Sequence, residues 1–448
     1  MSSMQALENA RAILAEADAK LDKLRGIEPY LIDLSLRENP VGSNVGQTLA
    51  DKLSILPKLR AFGFKHISLG TLDYDMPDEL EVDDDFMRHL HAHDIDMTGC
   101  FAFTALGIEK DGVFTPSPSQ GKLKNYGVPN TVHEIYLSKD GMAKYGVYDF
   151  ETLCRSLPAS IRWLQENIRG DHGGAPRIFI NIVDGCDAFA SNLEETCQAL
   201  ALLAEQPIAG VTIEDDRGTF LPFQVGAYVK VIRNFLPPPF KILVHIHGGA
   251  GFENASVMEA LLNGADGIWG GLPKRAAIIG HASIGELLAN LARLGNPHVE
   301  SFDMENLLPL ATHLQELDEK GAVPDDLPIL GHNAYRLTFT AFRQTTHRFM
   351  DLAPEMLGGR YGYRVCAVIS DWPVIAHRLS EITGRSVDDF PEKPMRQMIR
   401  LMRRDLRAGE RIDYDKPPQL LQLYERAKSN LEQPGPPSSS ADHVSTLS

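Results

Sequence analysis

Eight alternations of a short, β-rich apolar run with a helical stretch, between about residue 30 and about residue 303, constrain this 448-residue chain more than any other feature. The predicted strands are Tyr30–Leu36, His66–Gly70, Asp96–Ala102, Arg177–Val183, Gly210–Glu214, Lys241–His247, Gly267–Gly270 and His298–Phe302. Between most of them lie helical patterns at Thr48–Phe62, Asp83–His93, Phe150–Ile168, Leu193–Glu205, Pro222–Phe235, Asn254–Asn263 and His281–Leu294. Such a series predicts an α/β fold, a (β/α)8 TIM barrel, with a doubly wound open sheet as the alternative. No G-x-G-x-x-G follows the first strand, which weakens a dinucleotide-binding sheet.

The barrel is assigned to residues 28–303, and Thr104–Tyr148, long for a βα loop, to a structured insertion over its mouth. Residues 1–27 read as an N-terminal helix, with Leu7, Ala10, Ile13, Leu14, Ala17 and Leu21 at helical spacing. Its acids Glu8, Glu16, Asp18 and Asp22 are unlike a transit peptide, so a cytoplasmic protein is expected. Residues 304–432 read as helical C-terminal subdomains: a helix Glu305–Lys320, a linker Gly321–Pro328 and a mostly helical Ile329–Lys428. The Pro/Ser-rich residues 433–448 read as a disordered tail. Lys and Arg number 44 against 60 Asp and Glu, a net charge of −16, which argues against a nucleic-acid surface. The basic run at 391–411 reads as a solvated helix face. No apolar run approaches the roughly 18 residues that cross a bilayer. Five scattered cysteines offer neither a disulfide framework nor a cysteine zinc knot.

The chemistry-bearing residues sit where predicted strands end. His245 and His247 occupy positions i and i+2 of the sixth predicted strand, so both imidazoles share one face. They read either as half of a divalent-metal site or as a pair of buried, hydrogen-bonded histidines. The first strand ends Asp33-Leu34-Ser35-Leu36-Arg37-Glu38. There Arg37 can fork onto a carboxylate or enolate oxygen and Glu38 can join the histidines on a metal; the alternative is a surface ion pair. His281 opens a predicted helix and can face the same mouth; the alternative is a helix N-terminal histidine that binds no metal. Glu214-Asp215-Asp216 can bind a cation, act as base, or be solvated loop charges. His89, His91 and His93 fall on a helix end, where i and i+2 diverge.

Together these residues resemble the DRE-TIM metallolyase family, which includes isopropylmalate synthase, homocitrate synthase and hydroxymethylglutaryl-CoA lyase. The first-strand D-x-T-L-R-E/D is similar to Asp33–Glu38, and H-x-H to His245 and His247. D-T-x-G with a following proline is similar to Asp215-Asp216-Arg217-Gly218 and Pro222. The lyases' G-G-C-P turn and G-N resemble Gly270-Gly271-Leu272-Pro273 and Gly280-His281, and the synthases' post-barrel P-I-V-G-E-N-A-F resembles Pro328–Tyr335. The resemblance implies a divalent metal (Mn2+, Zn2+, Mg2+ or Co2+) on Glu38, His245 and His247, with His281 where the lyases have asparagine. Arg37 would hold the enolate or oxo acid. Asp33, Asp184, Asp215 and Asp216 would be candidate proton carriers.

Departures accompany the likeness. Asn39 replaces the glycine after the acid, Asp216 the threonine and Leu272 the lyases' cysteine. Val183-Asp184 stands where the synthases' strand-four acid pair would be, and Leu337 and Phe342 stand where they carry post-barrel histidines. The expectation is a synthase-like enzyme that forms or cleaves a C–C bond beside a carbonyl through an enolate, acting on a small carbonyl substrate with acyl-CoA as a possible donor, and pairing as a homodimer. The alternatives are an aldolase or lyase without CoA, a zinc hydrolase, and a retired barrel serving as a binding protein.

Overall fold

The computed structural model describes residues 3–72, 82–146, 148–319, 323–340 and 352–432. The chain divides into two compact units: Met1–Pro324 with Pro328–Leu330 and Met356–Gly359, and Asp325–Leu327 with Gly331–Glu355 and Arg360–Ser448.

The first unit is a closed barrel of parallel strands: β1 (Tyr30–Asp33), β2 (Ile67–Thr71), β3 (Cys100–Ala105), β4 (Asn130–Ile135), β5 (Ile178–Ile182), β6 (Gly210–Asp215), β7 (Lys241–Ile246) and β8 (Gly267–Gly270). Each strand pairs with its neighbours in chain order, and β8 closes on β1 with Asp33 opposite Gly270. Parallel neighbours require crossovers, which helices such as Leu49–Phe62, Phe150–Asn167 and Pro222–Phe235 supply. The first of these begins with a capping box between Thr48 and Asp51. The N-terminal helix Ser3–Gly26 anchors by its basic end, where Lys23 Nζ and Arg25 Nε donate to the carbonyls of Leu262 and Leu294.

The closed barrel is as expected, but the strand expected at His298–Phe302 is absent and another takes its place. Residues His298–Phe302 are not a strand; Pro297–Ser301 form a 3-10 turn, started by a proline without an N–H and capped by Asn296. The missing strand is β4, inside the segment read as an insertion, so Thr104–Tyr148 is no insertion. Its hairpin (Ile108–Lys110 and Val113–Thr115) and helix Pro118–Asn125 form the connection between β3 and β4. β4 was hidden because its sequence, Asn-Thr-Val-His-Glu-Ile, is mostly polar. Those polar groups are buried and bonded: Asn130 Nδ2 donates to Cys100 O, Thr131 Oγ1 to Ala102 O, and His133 lies between Thr104 Oγ1 (2.9 Å) and Ser160 Oγ (3.1 Å). Burial lowers the His133 pKa to about 3, which keeps the ring neutral. The H-x-H strand is therefore the seventh of the barrel, and Ile178–Ile182 is the fifth.

Strand alternation explains the barrel interior. Ile32, Phe101, Phe103, Val132, Phe179, Leu243 and Trp269 pack together as its apolar filling. Two residues further along the same faces come Glu134, Asn181 and His245, and Glu214 lies opposite His245. The interior is thus apolar up to the C-terminal mouth, where its last layer becomes polar and ionisable.

The second unit has its own core. Helices Trp372–Thr383, Glu392–Arg407 and Pro417–Glu432 enclose Ile375, Leu379, Met395, Met398, Met402, Leu420 and Leu423. Arg336–Leu337 and Gly362–Tyr363 add a short parallel pair. The basic run lies on Glu392–Arg407 with Arg396, Arg400, Arg403, Arg404 and Arg407 exposed, as a solvated face should be. Phe342, the start of the linker and the tail at 433–448 lie outside the described residues. Among the described residues no helix is long and apolar enough to cross a membrane.

Candidate metal centre at the barrel mouth

β1 ends at Asp33, earlier than its apolar run suggests, because Asp33 folds the chain back. Its Oδ1 accepts from Ser35 N and its Oδ2 from Ser35 Oγ, both at 2.9 Å. Ser35 Oγ in turn accepts from Leu272 N at 3.1 Å, tying this turn to the one after β8. Arg37 N and Glu38 N both donate to Leu34 O, so Arg37 and Glu38 sit on a helical turn rather than in a strand. Buried Lys52 supports that turn from below by donating to Leu36 O, and pairs with Asp83 at 2.8 Å. Asp83 Oδ2 accepts from Thr71 N, and Thr71 Oγ1 accepts from Arg37 Nε at 3.0 Å. The Arg37 guanidinium lies over the Phe103 ring, 4.1 Å from its centroid. It pairs with Glu38 and stands 3.9 Å from Glu134 Oε1. The guanidinium is thereby fixed on several sides before any substrate arrives.

His245 is fully buried. Its Nδ1 lies 2.9 Å from Trp269 O, which selects the tautomer with a lone pair on Nε2. That Nε2 is 3.1 Å from His247 Nε2 and 3.8 Å from Glu38 Oε1. His247 Nε2 is 3.4 Å from Glu214 Oε1. One ligand atom from each of Glu214, His245 and His247 lies within 4.8 Å of the others. Burial, then the neighbouring His247 and His281, hold the His245 pKa well below its usual value, so the imidazole is neutral as a metal ligand must be. Gly218, at φ +61°, lets the loop after β6 close over His247; a Cβ there would lie 1.9 Å from His247 O. The carboxylates of Glu38 and Glu214 and the converging Nε2 atoms of His245 and His247 form a donor set that fits a divalent cation.

The structure treats the other sequence candidates differently. His281 lies beside the pair, its ring 5.3 Å from that of His245, but in a loop that bridges His247; the following helix starts only at Ile284, capped by Ser283. Burial lowers its pKa to about 3. Asp33 is wholly buried, and desolvation lifts it to about 7 despite its bonds from Ser35. Asp184 receives Leu137 N and Ser138 N on its two oxygens and ties the loops after β4 and β5 together. Asp215 points away from Glu214 along the strand and accepts from Phe220 N. Asp216, at the exposed rim, is pushed up to about 6 by partial desolvation and the charge of Glu214. His89, on the helix Val82–Ala92, and His93, just past its end, stack on each other.

Sequence reasoning read Glu214 only as one of three acids and passed over Glu134, Tyr136 and Asn181. Asn181 Nδ2 donates to Glu214 Oε2 at 2.8 Å and orients that carboxylate. Burial, then the charges of Glu134 and Glu214, raise the Tyr136 pKa. Alternation within β6 would have singled out Glu214, whereas Glu134 and Tyr136 required β4 to be found.

Behind His281, Asn254 links the loops after β7 and β8. Its Oδ1 accepts from Ser283 N and its Nδ2 donates to Glu286. Burial lifts Glu286 to about 7 against the pull of Lys274. In the unfolded chain its carboxyl ionises near its ordinary value, so stability falls as pH rises from about 4.5 to 7. The Glu286→Gln variant should match the parent at pH 4.5 and exceed it at pH 8, by about 1–3 kcal/mol in denaturant unfolding. An equal difference at both pH values would contradict this.

The chain resembles several characterised proteins. It is 28% identical to the 2-isopropylmalate synthase of Heliobacterium modesticaldum over 215 residues, 45% of this chain and 41% of that protein. It is 20% identical to the (R)-citramalate synthase of Aquifex aeolicus over 370 residues, 82% of this chain and 66% of that protein. The match to the synthase thus spans less than half of that relative's length. No protein-family model matches. Among solved structures, the HMG-CoA lyase of Acinetobacter baumannii, in complex with coenzyme A and 3-methylmalate, superposes with a TM-score of 0.52 at 14% identity, covering 68% of this chain and 98% of the lyase. The hydroxymethylglutaryl-CoA lyase of Pseudomonas aeruginosa gives 0.52 at 14% identity, covering 65% and 93%. The sequence relatives are synthases of the kind the motifs suggested, and the structural likeness shows the TIM-barrel fold.

Proposed function

We propose that this chain, a relative of the isopropylmalate and citramalate synthases, is a divalent-metal enzyme that forms or cleaves a C–C bond next to a carbonyl through an enolate. The observation that carries the reading is the convergence of Glu38, Glu214, His245 and His247 beside the fixed guanidinium of Arg37. Glu38, His245 and His247 would hold the metal, with Glu214 facing the same point from β6. The bound metal would supply Lewis acidity to a carbonyl or enolate oxygen. Arg37 shares the negative charge that develops on that oxygen, from a position already set by Thr71, Phe103 and Glu134. Asp216, pushed up to about 6 at the open rim, is a carboxylate that takes up a proton just below neutral pH, which suits an acid or base that exchanges with solvent. The apolar floor of Phe103 and Trp269 excludes water from below.

The synthase relatives and the coenzyme A of the A. baumannii lyase complex support an acyl-CoA donor. Asp216 favours a second reading, an aldolase without CoA, because its carboxylate stands where the family's threonine would be and repels an oxo-acid carboxylate. The deciding experiment supplies the purified, metal-loaded protein with 2-oxo acids or aldehydes, with and without acetyl-CoA. Thiol release that requires the carbonyl acceptor supports the synthase. Cleavage of hydroxy-oxo acids without thiol release supports the aldolase. Turnover of neither substrate set, or of simple esters alone, would refute the proposal.

A further inference from the structure

Asn39 is 2% exposed, yet among the described residues neither its Oδ1 nor its Nδ2 has a hydrogen-bond partner. An unpartnered buried amide loses its hydration without a compensating bond, so its presence calls for an explanation. Asn39 directly follows Glu38 and faces the turn after β8. A Cβ built on Gly271 would lie 2.8 Å from Asn39 Oδ1 and 3.4 Å from His281 Nε2, so the amide oxygen and the imidazole approach one point. The two groups differ in what they have free. His281 Nδ1 lies 2.9 Å from Ala282 O, and its Nε2 accepts from Gly271 N at 3.3 Å, so both ring nitrogens are engaged. Among the described residues no group hydrogen-bonds the Asn39 amide.

We propose that Asn39, rather than His281, supplies the β8-side donor of the metal centre through its carboxamide oxygen, leaving the Nδ2 group to donate to an oxygen ligand on the same ion. A carboxamide oxygen is a hard, neutral donor, suited to Mg2+ or Mn2+ more than to thiophilic metals. A side chain at Gly271 would press on the Asn39 amide, so the glycine leaves the amide its present position. The inference rests on the metal-site reading above and adds a ligand to it.

The test is calorimetric titration of Mn2+ into chelator-stripped full-length protein, with thermal unfolding of the metal-free forms. In Asn39→Ala the Mn2+ Kd should rise at least tenfold while the metal-free Tm rises, because an unsatisfied buried amide has been removed. Asn39→Asp restores a donor oxygen and should bind Mn2+ within about threefold of the parent. His281→Ala should also bind within that range, since its nitrogens serve the loop. Unchanged Mn2+ affinity in Asn39→Ala, or a tenfold loss in His281→Ala alone, overturns the assignment and leaves the metal site standing. Failure of the parent to bind Mn2+ overturns both.

Discussion

Replacing His247 with alanine should strip the metal from the protein. The purified parent is expected to hold about one divalent ion per chain by elemental analysis, and His247→Ala close to none. Loss of an outer-shell partner of a metal site costs about 10–100-fold in affinity, and loss of a ligand exceeds that, so turnover should fall at least 100-fold. His247 is the informative choice because its side chain, 12% exposed at the rim, can be removed without hollowing the barrel. His245, packed against Trp269, should lose metal equally but also lose stability through the cavity left behind. The parent should gain stability on adding metal, by about 2.7 kcal/mol at 100 times the Kd, and His247→Ala should gain none. Full metal content in both variants would place any bound ion elsewhere.

Arg37→Lys separates charge from geometry. Lysine retains the positive charge but cannot donate to Thr71 while facing Glu134 and a substrate oxygen, as the guanidinium fork does. Removing one preorganised donor to a developing oxyanion costs about 100–1,000-fold in kcat, and a loss in that range is expected here. Metal content should remain near the parent's, since the metal donors are intact and Glu38 has merely exchanged one cationic partner for another. Lost turnover with retained metal in Arg37→Lys, against loss of both in His247→Ala, assigns the two residues to separate tasks. If Arg37→Lys keeps more than a tenth of the parent kcat, Arg37 is only a structural partner of Glu38.

These contrasts also mark how far the sequence could be read. Barrel strands such as β5, β7 and β8 are nearly continuous apolar runs, and their period, length and spacing to the next helix placed them almost to the residue. β4 escaped because hydrogen bonding, not apolar burial, satisfies Asn130, Thr131 and His133, and no local pattern announces partners about 30 residues away. That single omission displaced the strand count, pushed a 3-10 turn into the role of the eighth strand and hid Glu134 and Tyr136. The paired histidines of β7 were legible because i and i+2 share a face in any strand. Glu214 was not separated from Asp215 and Asp216, because that separation depends on knowing which face of β6 looks inward. Asp184 illustrates the opposite limit. An acid at a strand end looks like a proton carrier in sequence, yet its two oxygens are spent on the amides of Leu137 and Ser138.

The alternation that carries the apolar filling of the barrel into its polar mouth has an evolutionary consequence. In β7 the same two-residue rhythm that aims Leu243 into the core aims His245 at the candidate metal position, so scaffold and chemistry share one reading frame. A substitution at Val244 or Ile246 alters packing on the outer wall and spares the histidines. A one-residue deletion anywhere upstream in that strand would rotate both histidines outward while changing neither of them. Drift in this lineage can therefore explore loop sequences and rim charges freely, but indels in β7 are closed to it so long as the histidines are needed.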